Sequence, residues 1–451
     1  MTAASPAEFT RGPLDDPPMS RAQIGVLAFA ILLATLDGYD LLGMAFVAPV
    51  LSQAWALDRT TLGLLLSTSL VGMAVGSLAI SPLADVKGRK PMVFAAILLM
   101  ILGSLLSAFC VNVPQLAICR VLTGIGVGAM VPLTATIASE FASARHRAFA
   151  VALTTIGMPL GSIMGGLVAS LLLARFSWQS VFLSGAVAGT LLLPIVAFIL
   201  PESPAFLIAR RPKDALKRVN RTLARLDRTG LSELPRSASA PRASYRSLFS
   251  PGMVGMTLGF STITVLVSTT AYYLINWLPQ LITEAGYPPS VGSLASATSS
   301  IVGLVAGIAF GALANRLGPA RLASGAMMGF GLAIATFGFV PPVLVLLVLS
   351  AAACGFFLSG CTGIFYATVA ASFPPLSRVS GLGFAMGTGR IVSIAGPALA
   401  GWLFARGLGR AEVSLVFAVG PILAGFLLIA ISRRRNEVIG VPSAAPTEGN
   451  G

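Results

Sequence analysis

Residues 24–50 read IGVLAFAILLATLDGYDLLGMAFVAPV, and Leu36-Asp37-Gly38-Tyr39-Asp40 falls near the middle of that apolar run. The run is long enough to cross a bilayer as one helix. A charge at the centre of such a helix costs about 2.5–3.5 kcal/mol on insertion scales. Asp37 and Asp40, spaced i and i+3, share one helix face. Two acids in one turn must face a polar cavity or a partner. Proton-coupled transport is the commonest reason to place acid chemistry inside a membrane.

Similar apolar stretches recur along the chain. About twelve reach spanning length, near 24–51, 60–84, 91–110, 113–139, 147–173, 178–200, 253–281, 290–315, 320–340, 342–370, 378–405 and 411–432. The short alternating segments of an outer-membrane barrel are missing. At 55% hydrophobic and 10% charged residues, the chain is too apolar for a soluble protein of 451 residues. The expected fold is an all-α polytopic membrane protein with twelve transmembrane helices in two pseudo-symmetric six-helix halves. Met1–Ser20 is polar, with Asp15-Asp16-Pro17-Pro18, and has no signal-peptide core, so the first span is its own insertion signal.

A net charge of +14 raises the question of nucleic acid. The distribution of that charge answers it, because Lys and Arg collect in alternate loops. One side has Lys87, Arg89, Lys90, Arg145, Arg147, a dense central loop, Arg316, Arg321, Arg378 and Arg433-Arg434-Arg435. The other has only Arg59, Arg175, Arg406 and Arg410. The positive-inside rule then places both termini and the central loop in the cytoplasm, with the chain in the inner membrane. The lipid bilayer is the expected partner and nucleic acid is not.

The expected organisation is a cytoplasmic tail over 1–23, a six-helix half over 24–200, and a cytoplasmic central loop over 201–252. A second six-helix half covers 253–432, and a cytoplasmic tail covers 433–451. Within the central loop, Leu216, Val219, Leu223 and Leu226 line one face of a helix, with Lys217, Arg218, Arg221, Arg225 and Arg228 on the other. This reads as a basic amphipathic helix lying on the inner leaflet. The stretch Arg236–Ser250 reads as flexible linker. The halves repeat: Leu83-Ala84-Asp85-Val86-Lys87-Gly88 after the second span matches Leu313-Ala314-Asn315-Arg316-Leu317-Gly318 after the eighth. In transporters built on such repeats, the site lies between the repeats near the midplane.

Asp85-Val86-Lys87-Gly88-Arg89-Lys90 resembles the loop motif of the major facilitator superfamily. Arg120-x-x-x-Gly124-x-Gly126-x-Gly128 is similar to that superfamily's fourth-helix motif, and Pro201-Glu202-Ser203-Pro204 also fits. Asp37-Gly38-Tyr39-Asp40 resembles the aromatic acid:proton symporter family. So do Tyr273-Leu274-Ile275-Asn276-Trp277-Leu278-Pro279 and Gly387-Thr388-Gly389-Arg390-Ile391. The resemblance implies uptake of a benzoate, hydroxybenzoate, protocatechuate, gentisate or muconate-like anion with a proton. It also implies function for Asp37, Asp40, Arg120, Glu140 and Arg390. Val86 replaces the usual base of the loop motif, and Asn315 replaces the acid of its second copy.

Several residues are candidates for the site. At 1.5 Å per residue, Asp37 lies roughly 20 Å and Asp40 roughly 24 Å into the first span, and Arg120 comes to nearly the depth of Asp40. Two acids then face one base. Desolvation favours the protonated form of a carboxylate, so Asp37 and Asp40 are the expected proton-coupling pair. A buried structural pairing with Arg120 is the alternative. Arg390, roughly 18 Å into the eleventh span, has no acid within two turns on its own helix. Its guanidinium is a fork for a substrate carboxylate, unless backbone carbonyls near Gly387 and Gly389 take it. Arg120, Tyr39, Phe357 and Tyr366 are further candidates to line the substrate, although aromatic residues at helical spacing more often pack. Asp85, Gly88 and Arg89 read as an inner latch against the start of span eleven, where a helix dipole favours an acid. Glu140 lies about 30 Å from Arg120 and is expected to bond Arg89 or Arg145 as a gating salt bridge.

Other features read as structural. Gly157, Gly161 and Gly165 form a small-residue packing face. Tyr273 and Trp277 fit an interfacial aromatic belt. His146, the only histidine, reads as solvated, and the four cysteines read as small packing residues. There is no metal-ligand cluster, cofactor motif or nucleophile–base pair, so no enzyme and no cofactor are expected. A monomer is the expected state. Ser162, where antiporters of the superfamily carry Gly-Pro, leans against export. The alternatives are a muconate-like dicarboxylate or sugar importer, or a proton-antiport drug or metabolite exporter.

Overall fold

The computed structural model describes residues 14, 18–235, 248–250, 253–374 and 377–439. Nearly all of the expected N-terminal tail up to residue 17, the linker stretch 236–247 and the tail from 440 lie outside the described residues. Six long helices come first: α1 (Arg21–Ala54), α2 (Arg59–Lys87), α3 (Arg89–Ser107), α4 (Val113–Phe141), α5 (Arg147–Leu173) and α6 (Gln179–Phe198). Two short helices follow, α7 (Pro204–Arg210) and α8 (Ala215–Arg225). The rest are α9 (Val254–Glu284), α10 (Pro289–Leu317), α11 (Pro319–Phe339), α12 (Leu344–Ser372), α13 (Arg378–Ser393), α14 (Ala395–Ala405) and α15 (Arg410–Ile439). Twelve spans are long and apolar enough to cross a membrane, with α13 and α14 together providing the eleventh. Leu171, Phe198 and Ile308 are 70%, 80% and 68% exposed, as side chains facing lipid would be.

Local chemistry sets the helix ends. Ser20 and Gln23 form a reciprocal capping box at the start of α1. α2 stops at Gly88, with φ of +111°, and α10 stops at Gly318, with φ of +82°. Side chains with a Cβ rarely adopt that conformation, so the repeat seen in the sequence ends both helices by the same device. Pro397 gives the eleventh span its break near Ile394. It has no N–H to offer the Ser393 carbonyl four residues back, and its ring crowds that oxygen. The expected single helix over 378–405 is therefore two.

The chain packs as two compact units. One comprises Met1–Ala240, Ile275–Ile301 and Pro397–Gly407; the other comprises Pro241–Leu274, Val302–Gly396 and Leu408–Gly451. In the first, α2 and α3 pack on α4, and α1 packs on α5. The alternating glycines of the fourth-helix motif explain the first two contacts. A Cβ on Gly124 or Gly128 would meet α2 backbone oxygens at 2.2 or 2.0 Å, and one on Gly126 would meet the α3 oxygen of Ala96 at 2.5 Å. Gly157 and Gly161 do the same for α5 on α1, where a Cβ on Gly161 would lie 2.1 Å from the Thr35 carbonyl oxygen. In the second unit α11 packs on α12 and α15. Phe260, Met327, Phe365 and Phe373 are among the residues of its buried core.

Three expectations are corrected here. The apolar face of α8 does not lie on lipid, because Val219, Leu223 and Leu226 are buried in the protein at 1% exposure or less. The basic side chains Lys217, Arg218, Arg221 and Arg225 remain exposed. Tyr273 and Trp277 are not an interfacial belt, since both are fully buried. The Tyr273 hydroxyl bonds Ser414, and its ring stacks on Phe417 at 4.2 Å. His146 is half-buried, with Nδ1 2.9 Å from the Ser143 hydroxyl. Of the four cysteines, Cys110, Cys354 and Cys361 are buried.

Candidate functional site

The polar centre of the first unit is built on α1. Asp37 and Asp40 are 1% and 4% exposed. Gly38 between them lies where α5 passes close, since a Cβ there would come within 2.3 Å of the Met158 carbonyl oxygen. Tyr39 has its hydroxyl tied to α6, donating to the Val181 carbonyl at 3.0 Å and bonding Ser184. The motif therefore sets α1 against two neighbours, and both of its carboxylates are buried.

Asp40 is held from α3. Its Oδ1 accepts from the Ser104 hydroxyl at 3.1 Å, and the missing side chain of Gly185 on α6 leaves room beside that oxygen. Ser104 in turn accepts from Arg120 Nη2 at 3.3 Å, so this serine bridges base and acid. Arg120 is completely enclosed. It donates to Ser107 from Nε and Nη2 at 3.1 and 2.9 Å, and to Thr123 at 2.8 Å, and its guanidinium lies 4.4 Å from the Phe182 ring centroid. Nη1 is buried with no hydrogen-bond acceptor. Arg120 is thus sealed among the first six helices here, where it orders α3, α4 and α6 around Asp40.

A second cluster sits at the α2–α3 turn. Arg89 pairs with Glu140 on α4, Nη2 to Oε1 at 2.8 Å, and with Asp85 at 3.0 Å. Glu140 thus takes Arg89, one of the two partners expected of it. The Arg89–Glu140 pair is nearly dry, with side chains 11% and 15% exposed, whereas Asp85 remains 64% exposed. Glu202 sits over Gly88, where a Cβ would lie 2.3 Å from its Oε2. Its other oxygen accepts the Arg89 backbone N–H at 2.8 Å, placing an acid on the N-terminus of α3.

The second unit holds Arg390 in the last turn of α13, half-buried. Gly389 brings α13 against α9, since a Cβ there would meet Thr264 at 2.2 Å. Ser393 donates to the Arg390 carbonyl at 2.8 Å. Tyr366 on α12 lies in the field of Arg390, with Tyr272 of α9 also near it. Gly387, one turn before Arg390, has nothing within 4 Å of a would-be Cβ. Phe357 is engaged elsewhere in the unit. Its ring packs over Gly329 of α11 and stands edge-on to Phe356, their centroids 5.2 Å apart.

Sequence reasoning missed Ser104, Ser107, Thr123, Phe182 and Tyr272. Glu202 was visible only as part of Pro201-Glu202-Ser203-Pro204.

Twelve spanning helices, with buried acids in the first and a half-buried arginine in the eleventh, are the build of a membrane transporter. The family model of the Major Facilitator Superfamily matches residues 27–291 and 260–448, and the chain belongs to that superfamily. It is similar to the gallate transporter of Pseudomonas putida, at 31% identity over 94% of each chain. It is also similar to the 4-hydroxybenzoate transporter of the same organism, at 30% identity over 91% of this chain and 93% of that one. The benzoate transport protein of Acinetobacter baylyi is 26% identical, covering 94% of this chain and 92% of that one. Among solved structures, the xylose transporter XylE from E. coli shares the fold at a TM-score of 0.70 and 17% identity, over 94% of this chain and 98% of that chain.

Proposed function

We propose that this protein takes up an aromatic carboxylate of the benzoate, hydroxybenzoate or protocatechuate class together with a proton, by alternating access. The observation that carries this reading is a pair of buried carboxylates, Asp37 and Asp40, in the same chain as the half-buried Arg390. Relatives named for aromatic acids match along nearly the whole length and support the substrate class. Arg390 receives the carboxylate, with Tyr366 and Tyr272 beside it. Asp37 and Asp40 carry the proton, and Arg120 orders Asp40 through Ser104. The Arg89–Glu140 pair, with Asp85 and Gly88, serves as the inner latch. A sugar is not favoured, because the likeness to the xylose transporter is one of fold alone.

An inner-membrane location with both termini in the cytoplasm is part of this reading, and the alternation of loop charge supports it. It acts as a monomer. The test is uptake of a panel of labelled carboxylates into proteoliposomes under an imposed inward proton gradient. Gallate, 4-hydroxybenzoate and benzoate should accumulate. If the gradient accelerates uptake of none of the panel, the reading is wrong.

A further inference from the structure

The α1–α2 turn is held by contacts that the chemistry above does not use. Asp58 caps α2, accepting from the backbone N–H groups of Thr60 and Thr61 at 3.0 and 3.1 Å and from the Thr61 hydroxyl. Those bonds hold its carboxyl below the usual carboxylate range, and they occupy it. The adjacent Arg59 pairs instead with Glu284, the last residue of α9. The same Glu284 oxygen accepts from Gln280 Nε2 at 2.7 Å, and Gln280 Oε1 accepts from Ser52 of α1 at 3.4 Å. The Arg59 guanidinium also lies 5.7 Å from the Phe404 ring centroid on α14. Phe404 leans on Trp277, whose indole N–H donates to the Pro397 carbonyl at 3.1 Å.

Backbones close up beside these side chains. A Cβ on Gly63 would come within 2.7 Å of the Pro397 oxygen and 2.9 Å of Gly401 Cα. The hydroxyls of Ser162 on α5 and Ser300 on α10 are 2.6 Å apart. Arg59–Glu284, Ser52–Gln280, Gly63–Gly401 and Ser162–Ser300 each join a residue before the central loop to one after it, all within the first unit.

We propose that Arg59 and Glu284, supported by Gln280 and Phe404, are a latch across this end of the bundle. Each transport cycle breaks the latch to admit substrate from that face. The inference rests on the transport reading and on the orientation given above, which makes this the outside face. Arg59 and Glu284 are 40% and 27% exposed and border a cleft of about 230 Å³, so water reaches the pair. An ion pair at a solvent edge adds little net stability. That suits a contact made and broken in every cycle better than a permanent staple.

The test is an accessibility measurement without substrate, so its outcome is separate from that of the uptake assay. Ser300→Cys is introduced into a transport-competent form in which Cys110, Cys119, Cys354 and Cys361 are replaced by Ser. A membrane-impermeant maleimide is then applied to right-side-out and to inside-out vesicles. Arg59→Gln and Glu284→Gln should each raise the labelling rate several-fold from the outside face only. The exchange Arg59→Glu with Glu284→Arg should bring it back toward the parent rate. Glu284→Asp, which keeps the charge but shortens the reach, should fall between and guards against a variant that does not fold. Parent-like labelling in both single variants overturns the latch. So does an exchanged variant that labels as fast as the singles, or a rise seen only from the inside.

Discussion

Arg390 and Arg120 have the same side chain and opposite situations. Arg120 is enclosed, with donors spent on Ser107, Thr123 and Ser104. Arg390 is half-buried at the end of α13, beside the open face of Gly387. Only the second is placed to meet a ligand without rearrangement. Lysine in its place keeps the charge and loses the two parallel donors that match a carboxylate. Arg390→Lys should weaken substrate binding by about 1.5–3 kcal/mol, the size of a charged hydrogen bond. Calorimetric titration of purified protein checks this; unchanged affinity removes Arg390 from the site. Asp37, Asp40 and both arginines were legible in the sequence because a charge in an apolar span is costly and therefore conspicuous. Ser104, Ser107 and Thr123 were not. Hydroxyls are ordinary in membrane helices, and their use depends on how each helix is rotated.

Helices here meet through glycine, and the glycines are not equivalent. Gly161 lies against Thr35 and Gly38 of α1, whereas Gly387 faces open space. Gly161→Ala would force α5 away from the turn that carries Asp37 and Asp40. A cost of about 1–3 kcal/mol is expected for such overpacking. Gly387→Ala should leave stability within about 0.5 kcal/mol. Melting of the two variants in detergent separates them, and equal melting temperatures would contradict the packing argument. The twelve spans were readable from hydropathy, since each needs only length and apolarity. The break at Ile394 required weighing Pro397 inside an apolar run. The cover over α8 was not readable at all, because an apolar stripe has the same sequence whether protein or lipid lies on it. Tyr273 and Trp277 were misplaced for a related reason: aromatic rings near a helix end fit a lipid headgroup and a protein interior equally well.

At the scale of the whole carrier, the proposed roles of Asp37 and Arg390 would make proton and anion promote each other's binding. A proton on Asp37 removes one negative charge, and a carboxylate on Arg390 adds one. Their joint presence leaves the protein less charged than the anion alone would, which eases closure away from water. Linkage then requires reciprocity. Carboxylate affinity should rise as pH falls through the pKa of Asp37, and Asp37→Asn should flatten that dependence and abolish accumulation against a gradient. Affinity measured across a pH range in which the substrate stays ionised decides the matter, and a flat wild-type curve would falsify the scheme.

Trp277 has an optical consequence. Of the four tryptophans, it is fully enclosed with its indole N–H bonded to a backbone carbonyl, while Trp402 is 46% exposed on the surface. Parting of α9 from α14 would release that bond and wet the ring. The emission of this one indole would then shift to longer wavelength and become open to aqueous quenchers such as iodide. With Trp402→Phe lowering the background, the protein carries its own fluorophore at the seam proposed to open, and stopped-flow spectroscopy can time the motion without any attached dye.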